Sequence, residues 1–288
     1  MPEAGDLSKL VPASVELIRD VEFGRGGGRP LRMHVLRPKD RPGETAGMPL
    51  PAVVWVHGGA FRMGNKDSRV GRIGRLAACG YVCATIEYRL SGEAKFPAQI
   101  EDCKCAVRYL RAHAATWGLD PNRIGAWGES AGGHLVAMLG TSAWAKELEG
   151  SGGWPEHSSA IQAVCDWFGP PAFLQMDRAG SEQVHDAPES PESELVGGPI
   201  QEHPDLVARA NPITYVRRGV PPFLIVHGDR DPLVPFNQSE LLDAALRRVG
   251  ADVRFVRLAG AGHGTAEFHS PESLALVYDF FDRTIGRI

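Results

Sequence analysis

Short apolar runs alternate with segments of helical periodicity along most of the chain. Residues 52–56 and 81–86 are almost entirely apolar, and residues 68–78 between them have the pattern of a helix. Strands that are apolar on both faces and alternate with helices predict a parallel sheet covered by helices on both sides. Further strands are predicted at 123–127, 161–168, 223–226 and 253–258, and further helices at 97–117, 238–248 and 271–285.

The beginning of the chain has a different pattern. Residues 16–23 and 31–36 are two short candidate strands, and the glycine-rich loop 24–30 between them predicts an antiparallel hairpin with a loose turn. A linker rich in proline and glycine, residues 37–51, leads into the alternating part of the chain. The expected fold class is therefore α/β, with a mostly parallel central sheet and an antiparallel hairpin at its N-terminal side.

Helix 97–117 has the clearest periodicity. Pro97 suits the first turn of a helix, and the Asp-Pro-Asn sequence at 120–122 predicts a turn into the next strand. The apolar positions that share one face of this helix are Ile100, Cys103, Val107, Leu110, Ala114 and Trp117.

Residues 169–215 interrupt the alternation of strands and helices. They are rich in proline, serine, glutamate and glycine, and include an acidic stretch at 182–194. A connection of this length in a compact domain is commonly functional, so we expect a lid over the site, with a solvated surface insertion as the alternative. No second core is indicated, so we expect residues 1–288 to form one domain with 169–215 as a lid insertion.

A serine flanked by glycines lies where a predicted strand meets a predicted helix. The sequence GESAG at 128–132 follows strand 123–127, and an apolar helix pattern begins at residue 134. Such a tight turn requires residues without bulky side chains two positions before and after the serine, and it exposes the hydroxyl above the sheet. Ser130 is therefore the candidate nucleophile.

A serine nucleophile needs a base and an acid that orients the base. In folds with this elbow the acid follows the serine and the histidine comes last. Asp231 and His263 have that order, and each follows the end of a predicted strand, where catalytic groups of parallel sheets collect.

Each assignment has competitors. Asp229 shares the loop with Asp231. We favour Asp231 because Pro232 holds it in extended backbone and carries its side chain out of the turn, whereas Asp229 is expected to cap the turn. For the base we favour His263, because its glycine-rich loop lets its side chain approach Ser130 without steric obstruction. Three other histidines are assigned structural roles: His269 at the start of the last helix, His227 at a packed strand end, and His134 one turn into the elbow helix.

The sequence HGGAF at 57–61 directly follows strand 52–56 and predicts an oxyanion hole. Backbone N–H groups that face the developing anion contribute roughly 3 kcal/mol each. We assign the donors as Gly59, Ala60 and Ala131, since the alanine methyl group leaves the N–H in place. A plain glycine turn is the alternative, and the neighbouring elbow argues against it.

Composition narrows the setting. The formal net charge is −4, with scattered basic residues, which argues against nucleic acid or an anionic membrane as a partner. The five cysteines lack metal-ligand spacing and are expected to be free and mostly buried. No signal peptide or membrane-spanning run is visible, so we expect a soluble cytoplasmic protein.

The chain resembles the α/β-hydrolase superfamily, and within it the hormone-sensitive-lipase-like esterases and their acetyl-xylan and feruloyl esterase relatives. The resemblance spans residues 20–285 and is carried by HGGAFRMGNKDS at 57–68, the stretch 88–135 around GESAG, PPFLIVHGDRDPLVPFNQSE at 221–240, GAGHG at 260–264 and, for the return from the lid, residues 191–216. It implies Ser130, Asp231 and His263 as a triad. Ala60 departs from a common third glycine, which leaves the substrate range open.

The resemblance implies a serine carboxylesterase acting on short acyl esters, including acetyl or feruloyl esters of carbohydrate. An amide-type hydrolase, such as an aryl formamidase or small peptidase, and a non-catalytic binding protein are the alternatives. Phe61, Phe168 and Phe236 are expected to line the substrate pocket together with the lid. The expected partner is a small-molecule ester, without metal or organic cofactor, and oligomeric state is open between a monomer and a homodimer.

Overall fold

One eight-stranded sheet organises the computed structural model, which describes residues 6–40 and 47–286. Its spatial order is β1-β2-β4-β3-β5-β6-β7-β8. The pairs β1–β2 and β2–β4 are antiparallel and the other pairs are parallel, which confirms the predicted sheet. The strands are β1 (Val15–Gly26), β2 (Arg29–Pro38), β3 (Leu50–Val56), β4 (Val82–Ile86), β5 (Leu119–Glu129), β6 (Ala163–Trp167), β7 (Phe223–Gly228) and β8 (Val253–Leu258).

Helices cover both faces of the sheet, as predicted. Successive residues of β3 point to opposite sides: Val54 packs into a core shared with α2, α4 and α7, whereas Trp55 packs into a core shared with α1 and α8. The helices are α1 (Val70–Ala78), α2 (Ala98–Ala112), α3 (Ala114–Trp117), α4 (Ala131–Thr141), α5 (Pro191–Val196), α6 (Pro204–Ala210), α7 (Asn237–Arg248) and α8 (Pro271–Ile285). None of the helices in the described ranges is long and apolar enough to cross a membrane.

The N-terminal hairpin has a tighter turn than predicted. Gly24 pairs with Leu31 and the ladder continues to the end of both strands, so only Gly27 and Gly28 form the turn. Their φ angles are +58° and +84°, a conformation that glycine adopts without steric strain and that matches the twist of a two-residue hairpin. The loose loop expected over 24–30 was wrong, because its outer residues join the strands.

Two other predicted boundaries differ in the structure. Helix 97–117 divides at His113 into α2 and α3, and Pro97 lies just before α2 rather than within its first turn. The turn expected at 120–122 lies inside β5, where the pairing with β3 passes from Leu119 to Ile124 through an irregularity in register. The extra residues of β5 there bulge out of the ladder, so a local turn signal and a continuous strand coexist.

Residues 169–215 fold onto the sheet domain. Besides α5 and α6, they contain short 3₁₀ turns at Phe173–Gln175, Asp177–Ala179 and Pro212–Tyr215. They contribute apolar side chains to the core that also contains α4: Phe173, Met176, Leu195, Ile200, Val207 and Tyr215. A segment that supplies core residues is more than a solvated insertion, and its role as a lid stays a prediction.

Candidate active site

Ser130 occupies a sharp turn between β5 and α4. Its backbone has φ +56° and ψ −122°, a left-handed conformation that costs a non-glycine residue about 1–3 kcal/mol, and its N–H donates to the carbonyl of Trp167 at 2.9 Å. A Cβ atom on Gly128 would lie 2.2 Å from the carbonyl oxygen of Gly132, and one on Gly132 would lie 2.1 Å from that of Val56. Both glycines are therefore required by close backbone approach, as the sequence predicts.

His263 links Ser130 to Asp231. Its Nε2 atom lies 3.0 Å from Oγ of Ser130, and its Nδ1 atom lies 2.7 Å from Oδ2 of Asp231. Asp231 follows β7 and His263 follows β8, so both loops begin at the carboxyl ends of parallel strands. The Asp231 side chain is buried, and that of His263 is 19% exposed. The structure therefore brings together the three residues that the sequence singles out.

The Asp231 carboxylate is held by four donors. Its Oδ1 atom accepts hydrogen bonds from the N–H groups of Leu233 and Val234, both at 2.9 Å, and Oδ2 lies 3.3 Å from Nε2 of His227 as well as beside His263. Burial alone would raise the pKa of Asp231, but the hydrogen bonds from His227 and His263 outweigh it and hold the pKa below its usual range. The group is thus a buried anion at neutral pH.

Asp231, and not Asp229, contacts His263. Asp229 accepts a hydrogen bond from the N–H of Gly260 at 2.7 Å and forms an ion pair with Arg257. The reasoning that favoured Asp231 was partly wrong, because Asp231 itself closes the turn through the N–H groups of Leu233 and Val234. One carboxylate oxygen caps the turn and the other remains for the histidine.

The remaining candidate histidines have structural contacts. His134 is buried, its Nδ1 atom lies 2.8 Å from the carbonyl oxygen of Pro170, and burial lowers its pKa to about 4. His269 contacts the guanidinium of Arg72. His227 is bound to Ser239 and Val234, and its contact with Asp231 is one that the sequence did not reveal.

The loop after β3 packs against the elbow. A Cβ on Gly58 would lie 2.8 Å from the carbonyl oxygen of Glu129, so the loop can approach Ser130 only with glycine there. Gly59 and Ala60 have positive φ angles of +115° and +53°. In the described part of the chain, the N–H groups of Gly59, Ala60 and Ala131 donate to no protein acceptor, and all three residues line the same cavity as Ser130. These N–H groups are available to a ligand.

A cavity of about 380 Å³ surrounds Ser130 and His263. Phe61 and Phe168 line it as predicted, and the Phe168 ring lies 4.6 Å from that of His263. Phe236 was assigned to the pocket wrongly. Its ring centre lies 5.3 Å from that of Phe255 and 5.5 Å from that of His227, just before α7 and outside the cavity lining of the described residues.

Comparison with known proteins identifies the family. Residues 41–246 match BD-FAE. The chain belongs to the BD-FAE family. Among curated proteins it is 32% identical to Esterase LipQ of Mycobacterium tuberculosis over 93% of this chain and 62% of that protein, and 35% identical to Esterase LipC of the same organism over 81% of this chain and 56% of that protein. The chain thus spans little more than half the length of these curated relatives.

Solved structures of other proteins are also similar to this BD-FAE chain. A truncated form of a carbohydrate esterase from gut microbiota superposes with a TM-score of 0.84 at 31% identity, and the match covers 93% of this chain and 95% of that one. An esterase from Thermogutta terrifontis has a TM-score of 0.76 at 24% identity, which shows the shared fold. The fold is that of the α/β-hydrolases.

The BD-FAE site also contains charged residues that sequence analysis missed. Glu129, next to Ser130, pairs with Arg69 at 3.0 Å and Arg72 at 3.5 Å, and Arg69 and Glu129 both line the cavity. The Arg72 guanidinium lies 4.8 Å from the ring centre of Trp167, and burial lowers its pKa to about 10, so it remains a cation at neutral pH. The charged residue inside GESAG was the available signal for this cluster.

Residues 169–215 supply polar groups to the cavity as well. Gln183, His185 and Glu192 line it, and His185 and Glu192 form a buried pair. Nothing in the spacing of these residues distinguishes them from the rest of a loop rich in polar residues. Only the folded path of the segment brings them beside Ser130.

Proposed function

We propose that the chain is a serine carboxylesterase that hydrolyses short-chain acyl esters. The observation that carries the proposal is His263, whose two ring nitrogens lie within hydrogen-bond distance of Ser130 and Asp231. A hydroxyl, an imidazole and a buried carboxylate in this order form the arrangement that activates serine for attack on a carbonyl. Membership of the BD-FAE family and similarity to proteins named as esterases support it.

In the first half of the reaction, Ser130 Oγ attacks the ester carbonyl and His263 Nε2 takes the serine proton. The ionised Asp231 keeps the other proton on Nδ1 and stabilises the imidazolium. The carbonyl oxygen becomes an anion, which the free N–H groups of Gly59, Ala60 and Ala131 would stabilise. When the tetrahedral species collapses, the bond to the alcohol oxygen breaks, His263 protonates the leaving alkoxide, and the acyl group remains on Ser130.

In the second half, His263 removes a proton from water as the water attacks the acyl-enzyme. A second tetrahedral anion forms in the same set of N–H groups and collapses with cleavage of the bond to Ser130. His263 returns its proton to Ser130, and the carboxylic acid leaves. Every proton transfer uses the one imidazole, so the residues of this chain account for each step.

The residues that line the cavity suit an ester of a small acyl group and a polar alcohol. Phe61 and Phe168 supply apolar surface, whereas Arg69, Glu129 and Gln183 supply charged and polar groups. This division suits an acetyl or other short acyl group esterified to a hydroxyl-rich alcohol. Similarity to a protein described as a carbohydrate esterase supports carbohydrate esters as substrates, and we propose acetyl or feruloyl esters of carbohydrate among them.

The cysteines support a proposal about the cellular compartment of the protein. All five are free, and Cys79 is exposed, which is typical of a reducing compartment. We therefore propose a cytoplasmic location. Homodimer formation also stays a prediction, to be tested by sedimentation equilibrium.

A set of aryl esters of increasing acyl length tests the proposal, alongside acetylated xylo-oligosaccharide and a matched aryl amide. We expect the acetate and butyrate to be hydrolysed, longer chains to be hydrolysed more slowly, and the amide to be the poorer member of the matched pair. Ser130→Ala should lower kcat by about 10⁴-fold or more. Full activity of Ser130→Ala, or no hydrolysis of any ester, would rule out the proposal.

A further inference from the structure

The ring of His185 joins two parts of the chain that border the cavity. Its Nδ1 atom lies 3.0 Å from Oε2 of Glu192, and its Nε2 atom lies 2.8 Å from the carbonyl oxygen of Leu233. His185 and Glu192 belong to residues 169–215, whereas Leu233 lies in the loop after β7, residues 229–235, which we call the acid loop because it carries Asp231. The side chains of His185 and Glu192 are only 3% and 6% exposed.

Further hydrogen bonds fasten the same two parts together. Oγ of Ser181 donates to the carbonyl of Leu233 at 2.8 Å, and the N–H of Glu182 donates to the carbonyl of Pro232 at 2.8 Å. Within residues 169–215, the Asp177 side chain accepts one hydrogen bond from the backbone N–H of His185 at 2.7 Å. Residues 181–185 are thus bound to the acid loop at several adjacent points.

The carbonyl and the N–H of Leu233 both form hydrogen bonds with side chains. Its carbonyl faces His185, and its N–H donates to Oδ1 of Asp231 at 2.9 Å. The peptide unit that contains this carbonyl also contains the N–H of Val234, which donates to the same Oδ1 atom at 2.9 Å. The carboxylate that orients His263 therefore takes its position in part from a peptide unit that His185 restrains. A displacement of about 1 Å in a catalytic group can lower a rate by about 100-fold, so this restraint bears on turnover.

We propose that His185, paired with Glu192, is a positioning residue for Asp231, and that its doubly protonated ring holds the acid loop in the reactive arrangement. The inference rests on the proposed function. Both partners are acceptors, a carboxylate and a carbonyl, so the ring can donate to both only when each nitrogen bears a proton. A neutral ring donates to only one of them. With the proton on Nδ1, the Leu233 carbonyl keeps only the hydroxyl donor of Ser181, whose Oγ also lies 3.1 Å from Nε2 of His185. With the proton on Nε2, the Glu192 carboxylate loses the donor on His185.

The charges around His185 favour the protonated ring. Burial alone lowers its pKa, but the hydrogen bond and charge of Glu192, with smaller contributions from Leu233 and Asp177, raise it above the usual value. Further charged or titratable groups around the ring include Asp186 next to it in the chain, Asp231 in the acid loop and, across the cavity, Arg69, Glu129 and His263. As the pH rises through this pKa, the ring loses one hydrogen bond and the acid loop loses a restraint.

The test compares kcat, KM and pH profiles of the unmodified protein, His185→Gln, Glu192→Gln and a control, His203→Gln, on p-nitrophenyl acetate. His203 lies just before α6 in the same segment. We expect His185→Gln to lower kcat by about 10- to 100-fold with little change in KM, and to lose the alkaline decline in kcat. Glu192→Gln keeps an acceptor but removes the charge, so its alkaline decline should move to lower pH. His203→Gln should behave like the unmodified protein.

Three results would overturn the inference: unchanged kcat and pH profile in His185→Gln, an effect confined to KM, or an equal loss in His203→Gln. Thermal unfolding identifies a variant that fails to fold, and an unshifted alkaline limb in Glu192→Gln then decides against the inference by itself. If the unmodified protein is active and any of these results is obtained, only the role of His185 is ruled out. If the unmodified protein is inactive on all esters, the proposed function is ruled out as well.

Discussion

Nδ1 of His263 lies 2.7 Å from Oδ2 of Asp231, whose other carboxylate oxygen accepts hydrogen bonds from the N–H groups of Leu233 and Val234. The two oxygens thus have different partners, and the backbone donors fix which one faces the histidine. An anion at Oδ2 keeps the proton on Nδ1, which leaves Nε2 as the acceptor beside Ser130. The reactivity of the proposed triad therefore depends on the backbone of the acid loop.

Asp231→Asn should exchange the protonated and unprotonated nitrogens of the His263 ring. The amide oxygen will take the place of Oδ1, where two N–H groups require an acceptor, so the amide NH₂ will face Nδ1 of His263. Nδ1 must then accept, the proton moves to Nε2, and the base beside Ser130 is lost. We expect kcat on p-nitrophenyl acetate to fall by about 10⁴-fold with the fold retained.

Asp229→Asn is the matched control for that experiment, because Asp229 lies in the same loop and pairs with Arg257. We expect its kcat to stay within about twofold of the unmodified protein, since exposed ion pairs contribute little. Equal losses in both variants would show that the loop as a whole, and not the contact with His263, matters.

Gly132→Ala should disrupt the elbow. Its new methyl group would lie 2.1 Å from the carbonyl oxygen of Val56, and that strand cannot shift without disturbing the sheet. We expect the free energy of unfolding to fall by about 3 kcal/mol, measured by urea denaturation. Gly28→Ala is the comparison, because Gly28 has φ +84° but open space around its Cβ position. That variant should lose only about 1–2 kcal/mol, and equal losses would contradict the steric explanation.

Asp166 provides a pH-dependent prediction for stability. Burial raises its pKa to about 7, and its Oδ2 atom has no hydrogen-bond partner in the described structure. The ordinary pKa is 3.8, so between that value and about 7 the folded state holds a proton that the unfolded state has lost. By linkage, this carboxyl lowers the free energy of unfolding as the pH rises across that window.

Asp166→Asn removes the ionisation but keeps an acceptor for the N–H of Gly169, which Oδ1 binds at 2.9 Å. The free energy of unfolding of the variant relative to the unmodified protein should increase by about 3 kcal/mol between about pH 4.5 and pH 8, whatever its value at one pH. Asp252→Asn removes an exposed carboxylate and should give a flat difference. A flat difference for Asp166→Asn would show that this carboxyl does not titrate in the window.

The sequence predicts the parts of the site that depend on local backbone demands. Glycines around Ser130 and the order of Ser130, Asp231 and His263 follow from chain pattern alone, and the structure brings these residues together. The choice between Asp229 and Asp231 was right about the contact but wrong about its cause, because hydrogen bonds within a turn depend on dihedral angles that composition does not specify.

The parts that failed depend on contacts between distant segments. Phe236 was placed in the pocket because aromatic character does not tell whether a ring faces a cavity or stacks on a neighbouring ring, here that of Phe255. His185 and Glu192 gave no signal, because their partner Leu233 is 48 residues from His185 along the chain and contributes a carbonyl group that every residue has. Predicting these contacts requires knowledge of how residues 169–215 fold back onto the acid loop.

Covalent labelling of Ser130 tests the central claim most directly. A fluorophosphonate reacts with a serine only where a base activates its hydroxyl, so intact-mass measurement should show one adduct per chain. Digestion should place it on the peptide containing Ser130, and Ser130→Ala should remain unlabelled. Esterase activity that survives without an adduct on Ser130, or an adduct on another residue that abolishes activity, would contradict the account.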